Sequence, residues 1–189
     1  MKRLALHFGT TLLGTTLLLV VSAAAKDRTE KIAEVHFFVT PDCPVANRYA
    51  PEINRLFEAY SSRGVAFRLV YADPSLSDEA VARHVEEYGL EPKFVVDRGH
   101  VLVERAGATT TPQAAVYDRD AALIYRGRID NLYADFGARR QRATEHNVRD
   151  VLDSLLRGED VDFTETEAVG CLIEQLTTGE PSPETSARP

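Results

Sequence analysis

The chain has 189 residues, with 22 Lys and Arg against 29 Asp and Glu, and a net charge of −7 with its five histidines neutral. An acidic surface of this kind repels nucleic acid and anionic membrane, so neither is expected as a partner. The acids are scattered rather than gathered into a tract, which reads as solvation.

The first residues read MKRLALHFGTTLLGTTLLLVVSAAAKDR. Lys2 and Arg3, an apolar stretch and the small residues Ser22 to Ala25 follow the order of a secretory signal peptide, predicted over residues 1–25. The apolar stretch carries Gly14 and several threonines and falls short of the ~20 apolar residues of a membrane span. An uncleaved N-terminal anchor is the alternative. Cleavage leaves one domain, predicted over 26–176, of a size that supports a single core. The expected location is then periplasmic or extracellular, with no stable membrane insertion. The tail over 177–189, TGEPSPETSARP in its last twelve residues, is polar and Pro-bearing and is predicted to be disordered.

Between these ends, elements alternate. Residues 35–39 form a short apolar run stopped by Thr40-Pro41, a buried strand. Tyr49, Ile53, Leu56, Phe57 and Tyr60 recur at three- and four-residue steps, one face of a helix ended by Gly64. Residues 65–71 read as a second strand. Ser77 followed by Asp78 and Glu79 is a helix start, and that helix stops at Gly89. Residues 94–96 form a short strand. Residues 114–117 and 123–125 form a hairpin around 118–121. Thr144 is expected to cap a last helix bearing Val148, Val151, Leu152, Leu155 and Leu156, closed by Gly158. The order β-α-β-α-β-β-β-α calls for an α/β fold: a mixed central sheet with helices on both faces.

The chemistry concentrates in FFVTPDCPVANRYAPEI, residues 37–53. Only a thiolate attacks a disulfide or a peroxide, and a helix N-terminus stabilises one through unpaired N–H groups and partial positive charge. Pro44 suits the first helical position. Cys43 thus falls between a strand and a helix start, a poor place for a core cysteine. Arg48, one turn on, adds positive charge, and Asp42 opposes it. Thr111-Pro112 leads into the strand at 114; a cis bond there would leave the preceding backbone free to pair with an extended substrate chain.

These stretches resemble the thioredoxin-like superfamily, in the redoxin branch of peroxiredoxins and exported thiol–disulfide oxidoreductases. The resemblance runs from about residue 34 to 158. DCPVANRYAPEI, GATTTPQAAVYD, LIYRGRIDN and AVGCLI are similar to a group of exported bacterial redoxin-domain proteins. It implies a thioredoxin-like fold, Cys43 as nucleophile and Pro112 as the cis-proline, flanked by Pro44 and Thr111 on the substrate side. Two departures matter. The usual second cysteine is Ala46, which cannot resolve a mixed disulfide. Thr40 and Cys43 match the second half of the peroxiredoxin PxxxTxxC, but its proline position is His36.

Within the chain only Cys171, in Val169-Gly170-Cys171-Leu172-Ile173, can resolve Cys43. Three cases stand: a redox-active Cys43–Cys171 pair; a structural disulfide, whose long loop makes it worth about 4–5 kcal/mol in the chain-entropy view; and two separate thiols, with an external thiol resolving Cys43. The preferred activity is thiol–disulfide exchange with an exported protein thiol, disulfide or reductant. The alternatives are a thiol peroxidase, which would recruit Arg126 or Arg128, and a non-catalytic binding module. Residues 125–144 read as a long irregular segment, and its arginines as candidates for an anionic substrate or for pairing with nearby acids. No CxxCH is present, and His36, His84, His100 and His146 lack metal spacing. No cofactor and no metal are implied; copper delivery by Cys43 with a histidine ranks low. His84 is expected on a helix surface.

Overall fold

A computed structural model of the chain describes residues 30–176. The predicted signal peptide and C-terminal tail lie outside the described residues.

The first strand, β1 (Ala33–Val39), pairs in parallel with β2 (Val65–Tyr71), and β2 with β3 (Lys93–Val96). Helix α1 (Pro44–Tyr60) makes the first crossover and α2 (Asp78–Glu87) the second. A short helix, α3 (Val101–Ala106), leads to β4 (Thr110–Thr111), then β5 (Gln113–Tyr117) and β6 (Leu123–Gly127). β5 runs antiparallel to β1 and to β6. A small hairpin, β7 (Tyr133–Asp135) with β8 (Ala138–Arg139), precedes α4 (Asn147–Leu156). Two short strands end the described chain: β9 (Thr164–Glu165), parallel to β6, and β10 (Cys171–Leu172), antiparallel to β4. The main sheet has the order β3-β2-β1-β5-β6-β9. This is the mixed α/β sheet expected from the alternation of elements.

The central strands bury side chains on both faces, most completely towards their C-terminal ends, where both faces are covered. Val35, Phe37 and Val39 of β1 pack with Tyr49, Ile53 and Leu56 of α1, Val81 of α2 and Val148 and Leu152 of α4. Phe38, one residue out of phase, packs on the other face with Val70, Val103, Ala106 and Ala115. Burying each such side chain contributes about 1.5–3 kcal/mol.

Several elements differ from the sequence reading. Helix α3 was not anticipated: it has six residues, and its start is held by Asp97, whose carboxylate accepts the N–H groups of Leu102 and Val103 at 2.8 and 2.9 Å. Thr144 does not cap α4. The helix begins at Asn147, and the Thr144 N–H donates instead to Asn131 Oδ1 at 2.8 Å. The segment 125–144 is not irregular throughout. Asp130 accepts from Tyr49 Oη at 2.7 Å, Asn131 ties to Thr144 and Glu145, and between these anchors lies the β7–β8 hairpin.

Candidate active site

The site forms where β1 gives way to α1. Cys43 is the N-cap of α1, in extended backbone, with Pro44 in the first turn. Its sulfur accepts the Ala46 N–H at 3.4 Å, so one orphan amide of the helix start is directed at the thiol. The thiol itself donates to the Thr111 carbonyl oxygen at 3.1 Å. The Thr111–Pro112 peptide is cis, and Thr111 and Pro112 are buried.

Cys43 has no exposed surface. The sequence reading treats a Pro-flanked cysteine at a helix start as a poor core position, and the structure corrects this. Cys43 belongs to the main core cluster, and the arm that follows α4 packs beside it. β9 fastens the arm to the sheet edge at β6, and β10 then crosses to β4, setting Cys171 opposite Thr111 and Leu172 opposite Thr110. The Thr111 hydroxyl donates to the Cys171 carbonyl at 3.4 Å, and the Ile173 N–H donates to the Thr109 carbonyl at 2.9 Å. Cys171 is partly buried and packs against the core cluster that holds Cys43, and it faces Thr111, whose carbonyl accepts the Cys43 thiol. Burial first, then the neighbouring Cys43 through hydrogen bonding and charge, push the Cys171 thiol up to about 11. Two free thiols 128 positions apart in the chain thus share Thr111 as a neighbour.

The arm is lightly seated. A hollow of about 440 Å³ lies on one side, between Thr40, Asp73, Ser75, Thr111, Leu172 and Glu174. Another of about 520 Å³ lies between the arm at Glu165–Gly170 and Thr109, Thr110 and Gln113. Thr40 borders the first hollow, and its carbonyl accepts the Cys43 N–H at 3.3 Å. Pro44 is exposed at a separate small hollow shared with Asn47, Arg48 and Tyr88.

Arg126 and Arg128 are engaged with neighbouring residues. Arg126 donates to Glu165 through Nε and Nη2, and through Nη1 to the carbonyls of Ala106 and Gly107. Arg128 donates to Asn147 and Glu145. Arg126 therefore pins the start of the arm, and Arg128 the approach to α4. Pairing with acids, the plainer of the two sequence readings, is what these side chains do.

A chain of polar residues behind the cysteine turn was missed. Asn47 Nδ2 donates to the Pro41 carbonyl at 2.7 Å. Its Oδ1 faces His84 Nε2 at 2.9 Å, and His84 Nδ1 faces Tyr71 Oη at 2.8 Å. The acceptor at Pro41 fixes the directions: His84 Nε2 donates to Asn47, and the Tyr71 hydroxyl donates to His84 Nδ1. Burial lowers the His84 pKa from its ordinary value and keeps this neutral form. His84 is buried, not a surface residue. The spacing of Val81, His84 and Tyr88, three and four residues apart, carried that signal. His36 and His100 are also core residues, and no group of three metal-binding side chains occurs among the described residues.

The Redoxin family model matches residues 20–138, more than half of the chain. The chain belongs to the Redoxin family. Cys43, Thr111 and Pro112 of this Redoxin domain fall inside the matched stretch, and Cys171 falls outside it. Among curated relatives, the thiol-disulfide oxidoreductases ResA of Bacillus thuringiensis and Bacillus anthracis are 26% identical over 82 residues, 43% of this chain. The chain spans 46% of the length of those relatives. The fold is shared with an uncharacterized conserved protein from Geobacillus kaustophilus (TM-score 0.67, 26% identity, 82% of this chain and 83% of the other). It is also shared with a provisionally named thioredoxin from Neisseria meningitidis (TM-score 0.53, 17% identity, 70% and 79%). The redoxin chain thus has a thioredoxin-like fold. No helix among its described residues is long and apolar enough to cross a membrane.

Proposed function

We propose that the chain is an exported thiol–disulfide exchange protein in which Cys43 is the nucleophile and Cys171 the resolving thiol. The observation that carries this reading is the arm: strand pairing to β4 sets Cys171 opposite Thr111, the residue whose carbonyl accepts the Cys43 thiol, where the usual second cysteine is Ala46. The likeness to the ResA thiol-disulfide oxidoreductases supports the same reaction class. The N-terminal order of charge, apolar run and small residues supports export.

The Cys43 thiolate attacks one sulfur of a protein disulfide, and the other sulfur leaves as a thiolate with the electron pair. Cys171 then gives its proton to solvent, attacks Cys43 Sγ and releases the substrate thiol. The substrate has gained two electrons and the Cys43–Cys171 pair has lost two. An external dithiol reductant restores the pair, and an oxidant drives the sequence in reverse.

The raised Cys171 thiol suits this order. Burial holds its proton throughout, but the other two causes come from Cys43. Once Cys43 is in a mixed disulfide it carries neither charge nor proton, and both causes vanish at the stage when Cys171 has to ionise.

Peroxide reduction needs donors that stabilise charge on the leaving oxygen. Arg126 and Arg128 are engaged with Glu165 and Glu145 instead, which favours exchange. The test uses the mature chain, its Cys43→Ser and Cys171→Ser variants, a disulfide-bonded protein substrate and dithiothreitol. Catalysed reduction should be lost in Cys43→Ser, and Cys171→Ser should accumulate a mixed disulfide on Cys43. Rapid Cys43-dependent loss of hydrogen peroxide without disulfide reduction would make the chain a peroxidase. Inactivity in both assays would make it a binding module.

A further inference from the structure

The way the arm occupies β4 shows what that edge accepts. Four consecutive residues, Gly170, Cys171, Leu172 and Ile173, take four different positions. Gly170 lies so close to β4 that a Cβ on it would stand 2.0 Å from the Thr111 carbonyl oxygen and 3.0 Å from Pro112 Cδ. Those atoms belong to backbone and to a proline ring, so they cannot swing aside. Cys171 lies opposite Thr111, whose carbonyl accepts the Cys43 thiol, and packs against the cluster that holds Cys43. Leu172 turns to solvent, 82% exposed. Ile173 is buried in the apolar cluster with Phe38, Val70 and Ala72, and its N–H is held by the Thr109 carbonyl.

An external cysteine must bring its sulfur to the same point. If it arrives on an extended chain paired with β4, the residue before it meets the Thr111–Pro112 backbone as Gly170 does. The residue two places after it lies over the hollow that Ile173 fills. Resting on the exchange activity proposed above, we infer that the β4 edge selects protein substrates whose reactive cysteine lies in an extended glycine–cysteine–any–aliphatic segment, and that the arm is the resident copy of that segment. Substrate and arm occupy the edge in turn. With the arm out, the substrate pairs and its disulfide exchanges with Cys43; when the arm returns, Cys171 attacks Cys43 Sγ and the substrate leaves as a thiol.

The test uses the full chain as its Cys171→Ser variant, in which Cys43 is the one remaining thiol. Nine-residue peptides copying residues 167–175 carry their cysteine as a mixed disulfide with thionitrobenzoate. Cys43 forms the new S–S bond to the peptide sulfur, and thionitrobenzoate leaves with the electron pair, which gives the rate. The peptide with glycine before cysteine should react at least tenfold faster than peptides with alanine or valine there, and faster than one with aspartate in place of the aliphatic residue. Equal rates across the set would overturn the selectivity. Reaction with the symmetric thionitrobenzoate disulfide but with no peptide would overturn it too, while leaving the exchange reading intact. Failure to react with any of these reagents would overturn the exchange reading, and this inference with it.

Discussion

Burial first and the neighbouring Cys43 second raise the Cys171 thiol from the ordinary 9 to about 11. Removing Cys43 leaves only burial. In a Cys43→Ser chain the pH midpoint for Cys171 alkylation should therefore fall from about 11 toward the ordinary value of 9. Mass spectrometry of iodoacetamide-treated protein across pH checks this, and an unmoved midpoint contradicts the contact. A second residue-scale prediction concerns Glu34. Burial opposes its charge, yet hydrogen bonds from Lys31 and His36 outweigh this and bring its pKa from 4.5 to about 2. A depressed carboxylate stabilises the fold above its unfolded pKa, and that contribution is lost as pH falls from 4.5 toward 2. Glu34→Gln should flatten the fall in urea midpoint over that window; parallel profiles for the two proteins would contradict it.

The elements were legible in proportion to their length and caps. Helix α1 announced itself through Pro44 and its apolar periodicity, and α2 through Ser77, whose hydroxyl accepts the Ala80 N–H at 3.1 Å. Ser77→Ala should cost about 1 kcal/mol in chemical denaturation. The six-residue α3 and the two-residue strands β4, β9 and β10 have no period to read, and what stabilises them lies outside them: the local carboxylate of Asp97 at α3, the β6 edge at β9, and the burial of Ile173 beside β10. At the site, the Cys43 turn and the Thr111-Pro112 junction could be read as a pair of local features. The meeting with Cys171 could only be guessed, because it depends on where α4 and β9 deliver the arm. The Asn47–His84–Tyr71 chain was invisible because each of its members sits on a different element.

Beyond the Thr166 bonds to Tyr125, Arg126 and Arg128, the arm is held by the β10–β4 pairing, the Ile173 N–H bond to Thr109 and the buried Ile173 side chain, on the order of a few kcal/mol. Ile173→Ala should weaken closure by about 2 kcal/mol and raise the open population by more than about tenfold. Its readout is faster alkylation of Cys43 with little change in global denaturation. Unchanged Cys43 reactivity would mean that the arm does not cover the sulfur.

For the whole molecule, the fold brings the strand–helix junction that carries Cys43 and a C-terminal arm that carries Cys171 to the same sheet edge. The same juxtaposition would serve a structural disulfide, so the decisive quantity is how readily the pair changes state. Structural disulfides of exported proteins have potentials below about −300 mV, whereas catalytic ones lie higher. The full chain is equilibrated in thiol buffers of graded potential, alkylated and weighed, with Cys171→Ser as control. A redox-active pair gives one reversible transition that interconverts two thiols and a Cys43–Cys171 disulfide, with a midpoint above about −300 mV, absent from the control. A disulfide that stays closed below that potential, or two thiols that never join, would contradict it.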